Sequence, residues 1–211
     1  MRKLRLFAVL VALLVAAQHP ASAAGTIEAR NVPLRNVSSN LFVDVIGAHT
    51  NDGQGVILFD FNGNQNQLFT VEQKKADGQA FGTPVGDFIM PTHSFKCLGV
   101  ENASLKDSAR IIQSSCGDVD ELDAMTRSQL WDIEEVGRPA VDCPHGCLPV
   151  GFRIRNRHSG KCIDAGNSNF PTPPPRNAIL QQITCVRDTG DRNFVNQVFD
   201  FTQPGAGPVI K

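Results

Sequence analysis

The chain has 211 residues, 41% of them hydrophobic and 19% charged, and a formal net charge of -1. This length suits one domain or two small ones. The composition excludes a disordered chain, a collagen-like chain and a polybasic nucleic-acid binder, so no nucleic acid is expected as a partner. Abundant glycine, proline and phenylalanine, without a long stretch of strong helix formers, favour a loop-rich all-β protein.

The first 23 residues have the pattern of a signal peptide. A basic start is followed by an apolar run from Leu6 to Ala17 and by the small residues Ala21 to Ala23. We expect cleavage after Ala23 and export of a single domain over residues 24–211, to the periplasm or the extracellular space. The alternative is an uncleaved membrane anchor, but the run is short for a bilayer and no longer one follows, so no membrane insertion is expected.

All six cysteines follow this segment, and an even number of cysteines in an exported protein predicts disulfides. Their number alone does not select the pairing. The cysteines are Cys97, Cys116, Cys143, Cys147, Cys162 and Cys185.

Three copies of one ordered pattern follow one another, over about residues 30–75, 82–138 and 149–203; we call them the first, second and third units. Each unit begins with an apolar residue and a polar turn, continues into an apolar strand-like stretch and closes on Gln-x-aromatic. The stretches are Val56–Phe61, Arg110–Cys116 and Ile179–Cys185, and the endings are Gln67-Leu68-Phe69, Gln129-Leu130-Trp131 and Gln197-Val198-Phe199. Units of this size with short strands cannot each bury a core alone, so the copies must pack together.

This triple pattern resembles the ricin B-type lectin family, a β-trefoil of three similar four-strand units marked by Gln-x-Trp. The resemblance implies an all-β, disulfide-stabilised β-trefoil over nearly the whole domain. Two units carry phenylalanine in place of tryptophan, which preserves an aromatic ring at that position. We therefore expect Phe69, Trp131 and Phe199 to lie in the core.

The repeat also predicts two disulfides, because two pairs of cysteines occupy equivalent positions in their units: Cys97 with Cys116, and Cys162 with Cys185. The first unit replaces both equivalents together, by Phe42 and Phe61, as expected for positions that touch. Each bridge closes a loop of about 20 residues and stabilises the fold by roughly 3 kcal/mol.

Cys143 and Cys147 remain, in the link between the second and third units. We expect a small disulfide loop. A redox pair is an alternative, but such pairs usually have a two-residue gap at a helix start. A zinc site is another, but His145 and two thiols supply only three ligands of the usual four. No metal and no cofactor are therefore expected.

The family resemblance implies a sugar site made of a carboxylate, an aromatic ring and side-chain amides. In the first unit these positions are Asp44, Phe59, Asn66 and Gln67. Ile57 stands where the family has a polar glutamine, which removes one hydroxyl contact.

The other two units have lost part of this set. The second unit has Gly99 and Ser114 in place of the carboxylate and the ring, and is not expected to bind sugar there. The third unit has Ile183 for the ring, and Phe170 in a proline-rich loop either replaces it or belongs to an insertion without a sugar role. The third unit keeps Asp164, Gln181, Asn196 and Gln197.

Several of these residues also have structural alternatives. Asp44 and Asp164 can instead accept backbone N–H bonds in turns, and the matched His93 and His158 suggest a turn common to the repeat. Two Asn-x-Ser sequences, at Asn36 and Asn102, fit the acceptor pattern for N-glycans in a eukaryotic secretory route (Asn36-Val37-Ser38 and Asn102-Ala103-Ser104).

Together these observations predict a secreted, non-catalytic carbohydrate-binding protein whose partners are glycans. One alternative is the cell-binding subunit of a multi-subunit toxin, since trefoils with eroded sugar sites resemble those of cytolethal distending toxins. A Kunitz-type trefoil protease inhibitor is similar in size but lacks the triple Gln-x-aromatic pattern. An enzyme is not expected, because the repeats fill the chain and hydrolase, zincin and phosphate-loop motifs are absent from the sequence.

Overall fold

The computed structural model describes residues 28–76, 83–136, 151–165, 173–186 and 196–201. Strands dominate these ranges, and each unit supplies four strand positions, the first of which is broken in two in the first unit. In the first unit the strands are β1 (Ala29–Pro33), β2 (Arg35–Asn36), β3 (Phe42–Val45), β4 (Gln54–Phe59) and β5 (Leu68–Lys75). In the second they are β6 (Pro84–Pro91), β7 (Cys97–Val100), β8 (Ala109–Ser114) and β9 (Trp131–Val136). In the third they are β10 (Gly151–Asn156), β11 (Cys162–Asp164), β12 (Gln181–Ile183) and β13 (Phe199–Asp200).

Within the described ranges, helical structure is limited to short turns between strands. One α-helix, α1 (Ala124–Ser128), precedes β9, and its N-terminus is capped by Asp123, whose side chain accepts a hydrogen bond of 2.6 Å from the backbone N–H of Thr126. Among the described residues, 3-10 turns cover Ile46–Ala48, Gln65–Gln67 and Glu101–Ala103, and Asn196 and Gln197 also have 3-10 conformation. The turn at residues 65–67 carries two of the predicted site residues, Asn66 and Gln67.

The first and last strands of the three units close into a barrel. Antiparallel pairing runs from β1 through β5, β6, β9, β10 and β13 to β2, and β2 follows β1 directly in the chain. The middle strands form three hairpins, β3–β4, β7–β8 and β11–β12. These hairpins meet one another through β4–β8, β8–β12 and an isolated bridge between Ile57 and Ile179. The predicted all-β trefoil is confirmed.

The three aromatic residues of the closing motifs lie in one shared core. Phe69, Trp131 and Phe199 are at most 1% exposed and belong to the same hydrophobic cluster. Trp131 also donates its indole N–H to the backbone oxygen of Leu98, at 2.9 Å, so its polar atom is satisfied. The prediction that these side chains are core residues is correct.

Both disulfides expected from the repeat are present, joining Cys97 to Cys116 and Cys162 to Cys185. At the equivalent place in the first unit the rings of Phe42 and Phe61 touch, with their centroids 4.8 Å apart. An aromatic contact therefore replaces the covalent bond. Cys143 and Cys147 lie outside the described residues.

We call the boundary between two adjacent units a seam. At two of the three seams a lysine, an aspartate and a hydroxyl group form a polar cluster, which we call the clamp. Between the first and second units, Lys96 Nζ lies 2.6 Å from Asp52 and 3.2 Å from the hydroxyl of Ser115. The seam between the second and third units repeats the clamp, with Lys161 Nζ 2.6 Å from Asp107 and 3.1 Å from the hydroxyl of Thr184. A lysine and an aspartate thus form the same ion pair at equivalent positions of these two seams.

The seam between the third and first units reverses the charges. The pairing between units puts Arg176 where the other seams have aspartate and Asp60 where they have a hydroxyl. Leu41 stands where they have lysine, since its backbone oxygen accepts from Asn36 as that of Lys161 accepts from Asn156. Arg176 Nη1 lies 3.2 Å from Asp60 Oδ2. An ion pair is therefore kept at this seam, but its positive end now comes from the third unit.

This equivalence of the seams predicts the effect of charge substitutions. Arg176→Asp should lower the free energy of unfolding by about 1 kcal/mol, because an exposed ion pair becomes a repulsive pair. Adding Leu41→Lys and Asp60→Ser rebuilds the clamp of the other seams and should restore stability. Urea unfolding of the single and triple variants measures both changes, and a triple variant no more stable than the single one would contradict the equivalence.

Candidate functional site

The structure brings together three of the four residues predicted for the first-unit site in one buried network. Asp44 lies on β3, while Asn66 and Gln67 lie on the 3-10 turn before β5. Asn66 Nδ2 donates to Asp44 Oδ1 at 2.9 Å, and Gln67 Nε2 donates to Asp44 Oδ2 at 2.8 Å. All three side chains are at most 5% exposed. The carboxylate thus binds side-chain amides, one on each oxygen.

Burial and hydrogen bonding shift the pKa of Asp44 in opposite directions. Burial raises the pKa of its carboxyl group, while the amide bonds from Gln67 and Asn66 and the nearby ring of His93 oppose that rise. The two amide bonds fix the orientation of the carboxylate.

Gln67 has a structural role that recurs in every unit. Its Oε1 accepts from the backbone N–H of Asn62 at 2.8 Å, and its Nε2 also donates to the backbone oxygen of Asp60 at 2.8 Å. The two equivalents do the same: Gln129 bonds Gly117 N–H and Ser115 O, and Gln197 bonds Val186 N–H and Thr184 O. This glutamine therefore ties the closing turn to the preceding strand and leaves Asp44 and Asn66 as the ligand-binding candidates.

Asn66 has one polar atom left over. Its Nδ2 donates to Asp44 and also to the backbone oxygen of Val45, at 3.0 Å. Its Oδ1 is buried and has no hydrogen-bond partner among the described residues. A buried acceptor without a donor costs about 1–3 kcal/mol, and a donor on a ligand would remove that cost.

Phe59, the predicted stacking ring, is half-buried at the end of β4 and partly covered. The guanidinium carbon of Arg176 lies 3.9 Å from the ring centroid, and Arg176 also pairs with Asp60. One face of the ring is therefore in contact with a cation. Sequence reasoning missed Arg176, because it belongs to the third unit and only the strand register brings it here.

The third-unit residues also come together, but they are used differently. Gln197 Nε2 donates to Asp164 Oδ2 at 3.1 Å, and Gln181 lies opposite Asp164 in the β11–β12 pair. The amide oxygen of Asn196 accepts from the hydroxyl of Ser38 at 3.3 Å. The amide oxygen that has no partner in the first unit, Oδ1 of Asn66, thus has an equivalent here that is hydrogen-bonded by the neighbouring unit. Phe170 lies outside the described residues.

In the second unit the position of the carboxylate is filled by another side chain. A Cβ atom on Gly99 would lie 2.8 Å from Cγ of Gln129, so this position has no room for a side chain. Gln129 donates instead to the hydroxyl of Ser114, at 2.7 Å. The second unit therefore has neither the carboxylate nor the ring of the first.

Asn36 and Asn102, the two possible glycan acceptors, differ in exposure. Asn36 is fully buried, and its Nδ2 donates to the backbone oxygens of Asn196 and Val198. Asn102 is exposed. In the folded protein only Asn102 is accessible to a modifying enzyme.

The two matched histidines lie in equivalent turns, as expected. The His158 backbone N–H donates to Asn156 Oδ1 at 3.0 Å, and the His93 ring nitrogen Nε2 lies 3.1 Å from the backbone oxygen of His49. Across the described ranges, no group of three or more His, Cys, Asp and Glu side chains could hold a metal ion. None of the helices described there is long and apolar enough to cross a membrane.

Comparison with known proteins supports the fold, and a family model matches part of the sequence. Residues 22–114 match the family model described as ricin-type beta-trefoil lectin domain-like. The resemblance predicted from the repeats is thus confirmed over that range. A search of curated protein sequences gave no significant match.

Several solved structures share the fold of this chain over most of its length. A designed 3-fold symmetric protein, ThreeFoil, is 27% identical, with 80% of this chain and 94% of that chain covered and a TM-score of 0.54. A ricin B-like lectin from Macrolepiota procera, solved in complex with lactose, is 14% identical, with 86% and 100% covered and a TM-score of 0.55. A mosquitocidal holotoxin is 14% identical with a TM-score of 0.54; 84% of this chain is covered, but only 18% of the toxin chain.

Proposed function

We propose that this chain is a non-catalytic carbohydrate-binding protein that binds a glycan in its first unit, through Asp44, Asn66 and Phe59. One observation carries the proposal: the unpaired Oδ1 of Asn66 beside the oriented carboxylate of Asp44. A sugar hydroxyl can donate to such an acceptor, and the carboxylate can accept from a neighbouring hydroxyl. In the third unit Ser38 already satisfies the equivalent amide.

The comparisons support the same proposal. The similar Macrolepiota procera protein is a lectin that was solved with lactose, and its whole length is covered by this fold. The match of residues 22–114 to a lectin-like family model includes the whole first-unit site. A single site with so few ligand-binding groups should bind with a Kd on the order of millimolar. We include export in the proposal, on the basis of the signal-like first 23 residues.

The chain offers a matched control for testing this site. Asp44 and Asp164 are both buried aspartates that accept a bond from the glutamine of their own closing motif. Asp44→Ala should reduce binding to the best ligand on a glycan array by at least about tenfold, whereas Asp164→Ala should leave it unchanged. Both variants lose a similar buried bond, so thermal unfolding of the two separates binding from stability.

Two results would contradict the proposal. Equal binding by wild type and Asp44→Ala would exclude the first-unit site. A loss with Asp164→Ala as large as with Asp44→Ala, at matched stability, would exclude the assignment to the first unit alone.

A second candidate function is that of the cell-binding part of a larger toxin assembly. The similarity to a mosquitocidal holotoxin favours it, because there the trefoil fold occupies a small part of a toxin chain. Purification from the native source tests it: a stoichiometric second chain supports an assembly, and a solitary monomer contradicts it.

A further inference from the structure

We infer that Phe95 is a stacking residue for a further sugar of a glycan bound at the first-unit site, which makes the ligand a disaccharide or a longer oligosaccharide. This inference rests on the proposed function. Phe95 lies in the turn between β6 and β7 and takes no part in the predicted sugar site.

The backbone at Phe95 is one that this residue type disfavours. Its φ is 54°, in the left-handed region. The equivalent residues of the first and third units are Asn40, with φ 59°, and Gly160, with φ 70°, and these two residue types adopt that region most readily. The repeat therefore supplies an internal comparison in which phenylalanine is the least suitable residue for the turn.

The side chain of Phe95 does not offset this strain by burial. It is 73% exposed, more than Leu105, Met125 or Ile179, the other exposed large hydrophobic residues of the described ranges. A bulky ring at a strained backbone position with so little burial does not stabilise the fold. Such outliers point to a function for the residue.

The turn that carries Phe95 lies beside the first-unit site. The backbone N–H of Thr92 donates to the backbone oxygen of Leu68 at 2.8 Å, and Leu68 directly follows Gln67. Two residues before Phe95, the ring of His93 contacts the β3–β4 loop at His49 and contributes to the electrostatic environment of Asp44. A glycan extending from Asp44 towards the second unit would pass this turn.

The surroundings of Phe95 suit a sugar better than a protein surface. Lys96, the next residue in the chain, forms a hydrogen-bonding cluster with Asp52 and Ser115. His49, whose backbone oxygen lies 3.1 Å from the ring of His93, is exposed. One flat apolar ring among polar groups matches a pyranose, which has an apolar C–H face and a polar edge. A protein interface needs a contiguous apolar core instead. Since Arg176 covers a face of Phe59, Phe95 is the more open ring of the two.

The experiment compares a monosaccharide with an oligosaccharide on three proteins. A printed array of mono-, di- and oligosaccharides identifies the best oligosaccharide, which is then titrated together with its terminal monosaccharide. The proteins are wild type, Phe95→Asn and Leu105→Asn; the last removes another exposed apolar side chain and serves as the control.

Phe95→Asn should weaken oligosaccharide binding by about fivefold to tenfold and leave monosaccharide binding unchanged. Its thermal midpoint should rise by a few degrees, because asparagine tolerates the left-handed turn. Leu105→Asn should bind both ligands like wild type, and Phe95→Trp should retain the preference for the oligosaccharide.

Other outcomes would overturn the inference. If Phe95→Asn binds the oligosaccharide like wild type, or if wild type shows no preference for it, Phe95 has no stacking role. In both cases a loss of binding with Asp44→Ala leaves the proposed function standing. If wild type binds no glycan on the array, the proposed function and this inference both fail.

Discussion

Trp131→Ala should lower the free energy of unfolding by about 4 kcal/mol, since it removes the largest fully buried side chain and leaves a cavity in the shared core. The substitution also leaves the backbone oxygen of Leu98 without its indole donor. Urea unfolding followed by circular dichroism measures the change. Trp131 is the single tryptophan of the chain, so its fluorescence cannot serve as the probe for this variant.

The other two units provide the control for this prediction. Trp131→Phe places at this position the ring that Phe69 and Phe199 supply in their units, and it should destabilise the fold by less than half as much as alanine does. If Trp131→Ala unfolds at the same urea concentration as wild type, the three closing aromatics do not form one cooperative core.

Much of the fold could be predicted from the sequence because the repeat provides its own test. A pattern that occurs three times in register fixes which aromatic residues meet and which cysteines pair. The joint replacement of a cysteine pair by Phe42 and Phe61 predicts contact from the sequence alone, and the rings do touch. The disulfides and the Phe42–Phe61 contact lie within one unit, and the aromatic core is made by equivalent residues of the three units.

The candidate site could be predicted only in part, because neighbouring units modify it. Asp44, Asn66 and Gln67 belong to one unit and follow from the family resemblance. Arg176 reaches Phe59 from the third unit, and its position depends on the register between β4 and the segment before β12. The strain at Phe95 is a property of the backbone and is visible in the sequence only when its equivalents Asn40 and Gly160 are known.

Asp87 is a buried carboxyl group in the second unit without a full set of partners. It lies on β6 opposite Trp131, is 9% exposed, and its Oδ1 has no hydrogen-bond partner among the described residues. Burial raises its pKa to about 6, with a further rise from the charge of Asp132 and an opposing effect of Arg157. Arg157 Nε bonds Asp132 Oδ1 at 2.6 Å, so its charge is shared between the two carboxylates.

This raised pKa makes stability depend on pH in a direction opposite to that of a salt-bridged aspartate. Below about pH 3 Asp87 is protonated in both the folded and the unfolded chain, so it does not change the free energy of unfolding there. As the pH rises from about 3 to about 6, the unfolded chain loses this proton first, so this group lowers the free energy of unfolding by about 3 kcal/mol, and its effect is constant above that range.

Asp87→Asn keeps the shape of the side chain without its charge, so it should be more stable than wild type by about 2–3 kcal/mol at pH 7 and equal to it near pH 3. Urea unfolding at a series of pH values measures the difference, with Asp52→Asn as the control: Lys96 lowers the pKa of Asp52, so its loss should destabilise at pH 7. A difference between Asp87→Asn and wild type that does not change between pH 3 and pH 7 would show that folding does not raise the pKa of Asp87.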